Sequence, residues 1–172
     1  MTSKRVLVAY GTEHAATAGI AEQIGVTLHE DGLDAVVLPA VVLPADDVDD
    51  VRSYDGVVLG GALYAGHWRR KAKRCAERNA DHLKHRPVWL FSSGPVDSSA
   101  EQHDIPPVRA VAQQMESLAA REHVTFGGSI TSHTPGLIAK ALVRHGKGGD
   151  FRNPERIQTW AHHISAELAA LN

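Results

Sequence analysis

The chain has 172 residues, of which 43% are hydrophobic, and its formal net charge at pH 7 is −2. A chain of this length can bury a full core without metals or disulfides, so we expect residues 1–172 to form a single domain. The near-neutral charge argues against a polyanion-binding protein, and we expect no nucleic-acid partner. The single cysteine, Cys75, excludes an internal disulfide.

The sequence contains no apolar run near the roughly 18 residues that a membrane-spanning helix needs. Its N-terminus lacks the apolar region and cleavage site of a signal peptide. We therefore expect a cytoplasmic protein, with peripheral contact at the inner membrane face left open. The 11 histidines show no metal-ligand spacing with a third partner, so we expect no metal site.

The predicted elements alternate between strands and helices. Residues 5–10 are almost continuously apolar, which is typical of a strand buried on both faces. Within residues 15–30, Ile20, Ile24 and Leu28 recur at the spacing of one helix face. The remaining predicted strands are 35–38, 56–60, 87–91 and 124–130, and the remaining predicted helices are 67–79, 107–121, 135–144 and 154–171.

This alternation predicts an α/β fold, a three-layer sandwich around a five-stranded parallel sheet. Right-handed crossovers favour the strand order 2-1-3-4-5. Ligands of such sheets bind beyond the carboxyl ends of the strands, where the strand order reverses. That rule selects the loops 11–17, 60–68 and 92–99 as the candidate site.

The first loop joins a strand to a helix N-terminus, which offers unpaired N–H groups to a phosphate. An ordinary strand–helix turn with Thr12 as its cap is the alternative. In the second loop, Gly60 and Gly61 permit close approach of a ligand, and Tyr64 and Trp68 can lie flat against an aromatic ring. The alternative is that both aromatics belong to the core.

The third loop offers hydroxyl and N–H groups that suit the polar edge of a flavin ring. The alternative is a loop that only joins two elements and binds no ligand. A basic run at residues 69–78 follows the second loop. It is either a solvated helix face or an anion-binding surface. All three loops leave the same predicted sheet edge, so together they indicate a nucleotide-type cofactor more strongly than any one alone.

On these residues the sequence resembles the flavodoxin-domain family. The matching stretches are 6–10 with its loop 12–17, then 59–67, and then 91–95. The sequence looks closest to the branch that contains the menaquinone-dependent protoporphyrinogen dehydrogenases. That branch carries a Gly-aromatic-Gly stretch after its third strand and a basic amphipathic insert, for which residues 135–150 are the candidate here.

The resemblance implies a flavodoxin-like fold and a non-covalent flavin mononucleotide (FMN), with a deazaflavin left open. The implied phosphate-binding residues are Thr12, Glu13, His14, Ala15, Ala16 and Thr17. The implied ring-binding residues are Ala62, Leu63, Tyr64, Ala65, Gly66, His67, Trp68, Ser92, Ser93, Gly94, Pro95, Val96 and Asp97. The chain departs from the family in lacking both the usual glycine within the phosphate loop and a stacking aromatic in the third loop.

The leading functional hypothesis is an FMN-dependent oxidoreductase that passes electrons from a small substrate, such as a porphyrinogen, to a quinone or similar acceptor. Arg69, Arg70 and Lys73 are candidates for holding substrate carboxylates, and His67 is a candidate proton relay. Residues 137–147 combine apolar and basic positions that suit an anionic membrane surface. The alternatives are a flavodoxin-type electron-transfer protein without its own substrate and a cofactor-free domain of this fold. The sequence identifies no catalytic residue and leaves a homodimer open.

Overall fold

A computed structural model describes residues 3–11, 15–39, 51–64, 66–68, 70–94, 99–102, 104–130, 140, 144–146 and 149–171. Its strands are β1 (Arg5–Gly11), β2 (Asp34–Pro39), β3 (Gly56–Tyr64), β4 (His67–Trp68), β5 (Val88–Ser93), β6 (Glu122–Phe126), β7 (Ser129–Ile130) and β8 (Gly149–Asp150). Its helices are α1 (Ala15–Glu30), α2 (Arg70–Leu83), α3 (Ser99–Gln102), α4 (Arg109–Leu118) and α5 (Pro154–Ala170).

The main sheet has the order β2-β1-β3-β5-β6, and all four neighbouring pairs are parallel. This arrangement confirms the predicted flavodoxin-like α/β class. The prediction of five strands is incomplete, because β4 joins the sheet by antiparallel pairing with β3. A two-residue strand has too little periodicity to be recognised in a sequence. Strands β7 and β8 form a separate antiparallel pair.

Several element boundaries differ from the prediction. Strand β3 runs four residues past its predicted end at residue 60, and β5 includes Ser92 and Ser93, which were predicted to lie in a loop. Glycine and serine have weak strand propensity, but pairing with neighbouring strands holds them in the sheet. Helix α2 begins at Arg70 instead of residue 67, because His67 and Trp68 belong to β4.

The last predicted strand is also corrected. Residues 124–130 are divided between β6, which begins earlier at Glu122, and the short β7. Of the predicted helix at 135–144, only Lys140 and Arg144 lie among the described residues.

Helix α5 confirms its predicted start. Pro154 occupies the first turn, and the Asn153 side chain caps the helix by accepting a hydrogen bond from the Arg156 backbone N–H at 3.1 Å. No helix in the described part of the chain is both long and apolar enough to cross a membrane.

Two apolar clusters cover the two faces of the sheet, because successive strand side chains point to opposite sides. One cluster joins Leu7 and Leu59 of the sheet to helices α2 and α4. The other joins Val6, Val8 and Phe91 to helices α1 and α5. The sheet is therefore the middle of three layers, as predicted.

Two glycines in the middle of β3 serve this packing. A Cβ on Gly60 would lie 2.1 Å from the Phe91 ring, and one on Gly61 would lie 2.7 Å from the Ala72 Cβ and 3.0 Å from Trp68 Cγ. The sequence suggests that these glycines leave room for a ligand. In the structure that space is filled by the protein's own side chains, on one face of the sheet for Gly60 and on the other for Gly61.

We predict that Gly60→Ala lowers the free energy of unfolding by about 3 kcal/mol, the upper end for overpacking, because the Phe91 ring is enclosed. Val26→Ala is the control, since Val26 is 58% exposed, and should change stability by less than about 0.5 kcal/mol. Urea unfolding of both variants measures the difference. Equal stabilities would show that Phe91 moves aside freely.

Candidate functional site

The carboxyl ends of three neighbouring strands form one edge of the sheet. Gly11 of β1 is paired with Gly61 of β3, and Gly61 is paired with Ser92 of β5. One residue further, Ala62 is paired with Ser93. The three loops selected from the sequence therefore leave the sheet side by side.

Helix α1 brings its N-terminus to this edge. It begins at Ala15, four residues after β1 ends at Gly11. Its first amide N–H groups have no partners within the helix and lie at the positive end of the helix dipole. Thr17 is 1% exposed and Ala16 is half-buried. The phosphate-loop candidates Thr12, Glu13 and His14 lie outside the described residues.

The second loop is a β-hairpin and not an open loop. Leu63 pairs with Trp68, and Tyr64 pairs with His67. Gly66 has a φ of 77°, a left-handed conformation that favours glycine in a tight turn. The Tyr64 side chain is 55% exposed at the hairpin tip. Ala62 and Leu63 are half-buried, Gly66 and His67 are exposed, and Ala65 is outside the described residues.

Trp68 and Tyr64 have different surroundings. Trp68 is 5% exposed and belongs to the cluster beneath α2. Its indole Nε1–H donates a hydrogen bond to Ser92 Oγ at 2.9 Å. The sequence left open whether Tyr64 and Trp68 stack on a ligand or belong to the core. The structure places Trp68 in the core. Tyr64 is the candidate aromatic that is open to a ligand.

The third loop begins after two buried serines. Ser92 and Ser93 end β5 and are 1% and 4% exposed. The backbone N–H of Gly94 donates to the Phe126 carbonyl at 3.1 Å, which ties the loop to β6. Pro95, Val96 and Asp97 lie outside the described residues, so the part of this candidate site that the structure describes is 92–94.

Helix α2 places positive charge beside the same edge. A Cβ on Gly11 would lie 2.3 Å from the Ala72 backbone nitrogen, so the first turn of α2 contacts the end of β1 closely. The exposed cations in its first two turns are Arg70, Lys71, Lys73 and Arg74. Arg69 is outside the described residues.

Most of this charge is not neutralised within the described part of the chain. Lys73 Nζ lies 3.9 Å from Glu77 Oε1, one turn along the helix. No described carboxylate lies within 4.0 Å of the cationic groups of Arg70, Lys71 or Arg74. The first half of α2 is therefore a cationic surface available to an anion.

His123 is a half-buried polar residue that the sequence did not single out. Its Nε2 lies 2.8 Å from Ser92 Oγ, which also accepts the Trp68 N–H. Burial lowers the pKa of His123 from 6.5 to about 4, so the imidazole is neutral at pH 7. A lone histidine between Glu122 and Val124 carries no sequence signal for this role.

A second polar group, Glu122, His163 and Glu167, lies at the opposite edge, where β6 begins. Its ligand-type atoms lie within 4.8 Å of one another. Trp160 Nε1–H donates to Glu122 at 3.1 Å, and Arg121 Nε–H donates to Glu167 at 2.8 Å. The group is thus an ion-pair network supported by neighbouring donors, and we assign no metal to it.

The parallel sheet, the anion-suited helix N-terminus and the exposed aromatic define a nucleotide-cofactor domain of the α/β type. A family model described as "Flavodoxin domain" matches residues 7–149. The chain therefore belongs to the flavodoxin domain family, as its sequence resemblance indicated. A comparison with curated proteins gave no match.

Solved structures share the fold at low sequence identity. Oxidised flavodoxin 2 from Bacillus cereus is 18% identical with a TM-score of 0.61, over 95% of this chain and 98% of that one. A flavodoxin from the domain Archaea is 11% identical with a TM-score of 0.62, over 96% and 99%. The rubredoxin oxygen:oxidoreductase of the anaerobe Desulfovibrio gigas is 11% identical with a TM-score of 0.65, over 98% of this chain. This chain spans 37% of the length of that protein.

Family membership makes this a flavodoxin-like, FMN-binding electron-transfer domain. The described residues fit that cofactor. The first-turn amides of α1, which have no partners within the helix, suit a phosphate, and the exposed Tyr64 ring at the same edge suits a flat heterocycle. The assignment to the protoporphyrinogen dehydrogenase branch stays a hypothesis.

The low pKa of His123 predicts a pH-dependent stability. Between pH 6.5 and about 4, the unfolded chain binds a proton that the folded chain does not. The free energy of unfolding should therefore be highest above pH 6.5 and should fall by about 2 kcal/mol between about pH 7 and about pH 5 through this residue.

Urea unfolding at the two pH values measures this fall. His123→Leu should reduce the difference by that amount, whereas Val111→Ala, a buried apolar control, should lower stability equally at both. An unchanged pH dependence in His123→Leu would contradict the assignment.

Proposed function

We propose that this protein is an FMN-dependent oxidoreductase that takes electrons from a small anionic substrate, such as a porphyrinogen, and passes them to a quinone or similar acceptor. One observation carries the proposal. The exposed cations Arg70, Lys71 and Arg74 of α2, which have no carboxylate partner among the described residues, lie beside the sheet edge to which the cofactor is assigned. They suit a substrate with carboxylates better than they suit a neutral one.

The cofactor is assigned to the three loops at this edge. In the proposal, residues 12–17 hold the FMN phosphate, and residues 62–68 and 92–97 flank its ring. The convergence of Gly11, Gly61 and Ser92 supports this assignment, because it brings the three segments together. Bound FMN supplies the redox chemistry, which no amino-acid side chain provides.

The chain's own residues attract and orient the substrate. Arg70 and Arg74 are one turn apart and therefore on the same face of α2. We propose that these two, with Lys73, contact substrate carboxylates while Tyr64 provides an apolar contact. Because the cations are exposed, they act mainly on the rate of encounter and should be sensitive to salt.

His67 is the proposed proton relay. It is exposed and lies opposite Tyr64 in the hairpin. The quinone is proposed to be met at an anionic membrane surface through residues 137–147. Of this segment the structure describes 140 and 144–146, where Lys140 and Arg144 are exposed cations.

The second candidate is an electron-transfer protein without its own substrate. Family membership favours it directly, since the family is one of electron-transfer domains. In this case the cationic surface of α2 would meet an acidic redox protein instead of a small substrate. The two candidates differ in whether the isolated protein turns over a substrate.

The direct test is anaerobic turnover of the FMN-loaded protein with protoporphyrinogen and a water-soluble naphthoquinone. Each quinone takes up two electrons and two protons, so porphyrin fluorescence should appear as quinone absorbance is lost. FMN that is reversibly reduced without any such turnover would contradict the oxidoreductase and support the carrier.

Paired charge variants test the role of α2. Arg70→Gln with Lys73→Gln should raise KM for the porphyrinogen about fivefold at low salt, the value of two exposed charge contacts. It should leave kcat nearly unchanged. The effect should shrink at high salt because the charges are screened.

The matched control is Arg78→Gln with Lys84→Gln. It removes the same charge from the second half of α2 and from Lys84, the residue that follows this helix, whose Nζ lies 3.3 Å from Asp81 Oδ1. Equal KM changes in the two double variants would show that net charge matters and that substrate does not bind at the first turns.

A further inference from the structure

A chain of three hydrogen-bonded polar side chains lies at the candidate site, where Trp68 and Ser92 are buried and His123 is half-buried. Trp68 Nε1–H donates to Ser92 Oγ at 2.9 Å, and Ser92 Oγ lies 2.8 Å from His123 Nε2. It joins the hairpin β3–β4 to β5 and β6, which are separate elements of the sheet. Such a connected network is costly to leave half-satisfied.

One hydrogen bond of this chain has a fixed direction. The indole N–H can only donate, so Ser92 Oγ accepts from Trp68. Ser92 Oγ pairs with His123 Nε2 in either neutral tautomer of the imidazole: the hydroxyl donates to a bare Nε2, or it accepts a second hydrogen bond from Nε2–H. His123 Nδ1 is buried and has no hydrogen-bond partner among the described residues.

Hydrolytic chemistry does not fit this serine–histidine pair. Ser92 is 1% exposed, so its hydroxyl does not meet a substrate. A nucleophilic serine also needs a base oriented by a third group. His123 Nδ1 lacks such a group in the described part of the chain.

The backbone pairing of the β3–β4 hairpin is short, so the hairpin depends on the hydrogen bonds that link Trp68, Ser92 and His123. Strand β4 has two residues, and its pairs with β3 are Leu63 with Trp68 and Tyr64 with His67. The Trp68 indole packs over Gly61 in the buried cluster. Its hydrogen bond to Ser92 fixes how the indole lies, and thus how the hairpin tip is presented.

We propose that His123 is a positioning residue for the cofactor, which acts through Ser92 and Trp68 to hold the hairpin that presents Tyr64. The hydrogen bond between His123 Nε2 and Ser92 Oγ fixes the Ser92 hydroxyl, and this orients its oxygen to receive the Trp68 N–H. The inference rests on the proposed placement of FMN at this edge, and it is independent of the electron donor and acceptor.

Three variants and one control test the proposal. His123→Leu removes the hydrogen-bond partner of Ser92, whereas His123→Gln keeps an amide group, which can donate or accept, near the position of Nε2. Trp68→Phe removes the donor at the other end of the chain. The control, Leu168→Ala, opens a cavity near Gly56, at the opposite end of β3.

The first measurement is the Kd for FMN, from the quenching of flavin fluorescence on binding. The second is amide hydrogen exchange of residues 63–68 in the apoprotein, which needs no cofactor. His123→Leu and Trp68→Phe should each weaken FMN binding about fivefold, the value of one buried hydrogen bond. They should also speed exchange in the hairpin by a similar factor.

His123→Gln should restore both values close to wild type. Leu168→Ala should lower Tm while leaving the Kd and the hairpin exchange unchanged. A His123→Leu variant with the wild-type Kd for FMN and wild-type hairpin exchange would overturn the positioning role. A His123→Gln variant whose Kd and exchange equal those of His123→Leu would overturn it as well. Failure of the wild-type protein to bind FMN would overturn the cofactor placement, a result distinct from either of these.

Discussion

The parallel register of β1, β3 and β5 is the constraint on which the rest of the structure depends. It sets Gly11, Gly61 and Ser92 side by side, although they are separated by 50 and 31 positions in the sequence. Each strand then leads into a segment assigned to the cofactor. Helix α1 brings its first-turn amides to the same edge, because it begins four residues after β1 ends. A shift of one strand by one residue in its pairing register would turn each of its side chains to the opposite face of the sheet and separate these ends.

Close packing at this edge determines which residues are left for a ligand. Gly60 and Gly61 are covered by Phe91, Ala72 and Trp68, so they support the edge from within. Beside these packed residues, the tip of the β3–β4 hairpin and the first two turns of α2 carry exposed side chains. The hydrogen bonds of Ser92 connect the packed residues of this edge to the β3–β4 hairpin. They explain why a buried serine, Ser92, lies next to the end of β5.

Much of the fold could be predicted from the sequence because long apolar runs and helical spacing are strong local signals. The start and end of α1 and the capped start of α5 are examples. Strand β4 was missed because two residues carry too little periodicity, and the last residues of β5 were missed because serine has weak strand propensity. The sequence located the loops of the candidate site, but it did not show which of their residues are buried and which are exposed. His123 could not be found at all, because its role arises from contacts between residues far apart in the sequence.

The central claim is that FMN binds beyond the carboxyl ends of β1, β3 and β5. The most direct measurement is an NMR titration of the ¹⁵N-labelled apoprotein with FMN, followed through its backbone amide shifts. Binding of FMN at this edge should give the largest changes at Gly11, Gly61 and Ser93, with little change at Gly56 and Val88, where β3 and β5 begin. Largest changes at these two strand starts, with Gly11 and Ser93 unaffected, would contradict it.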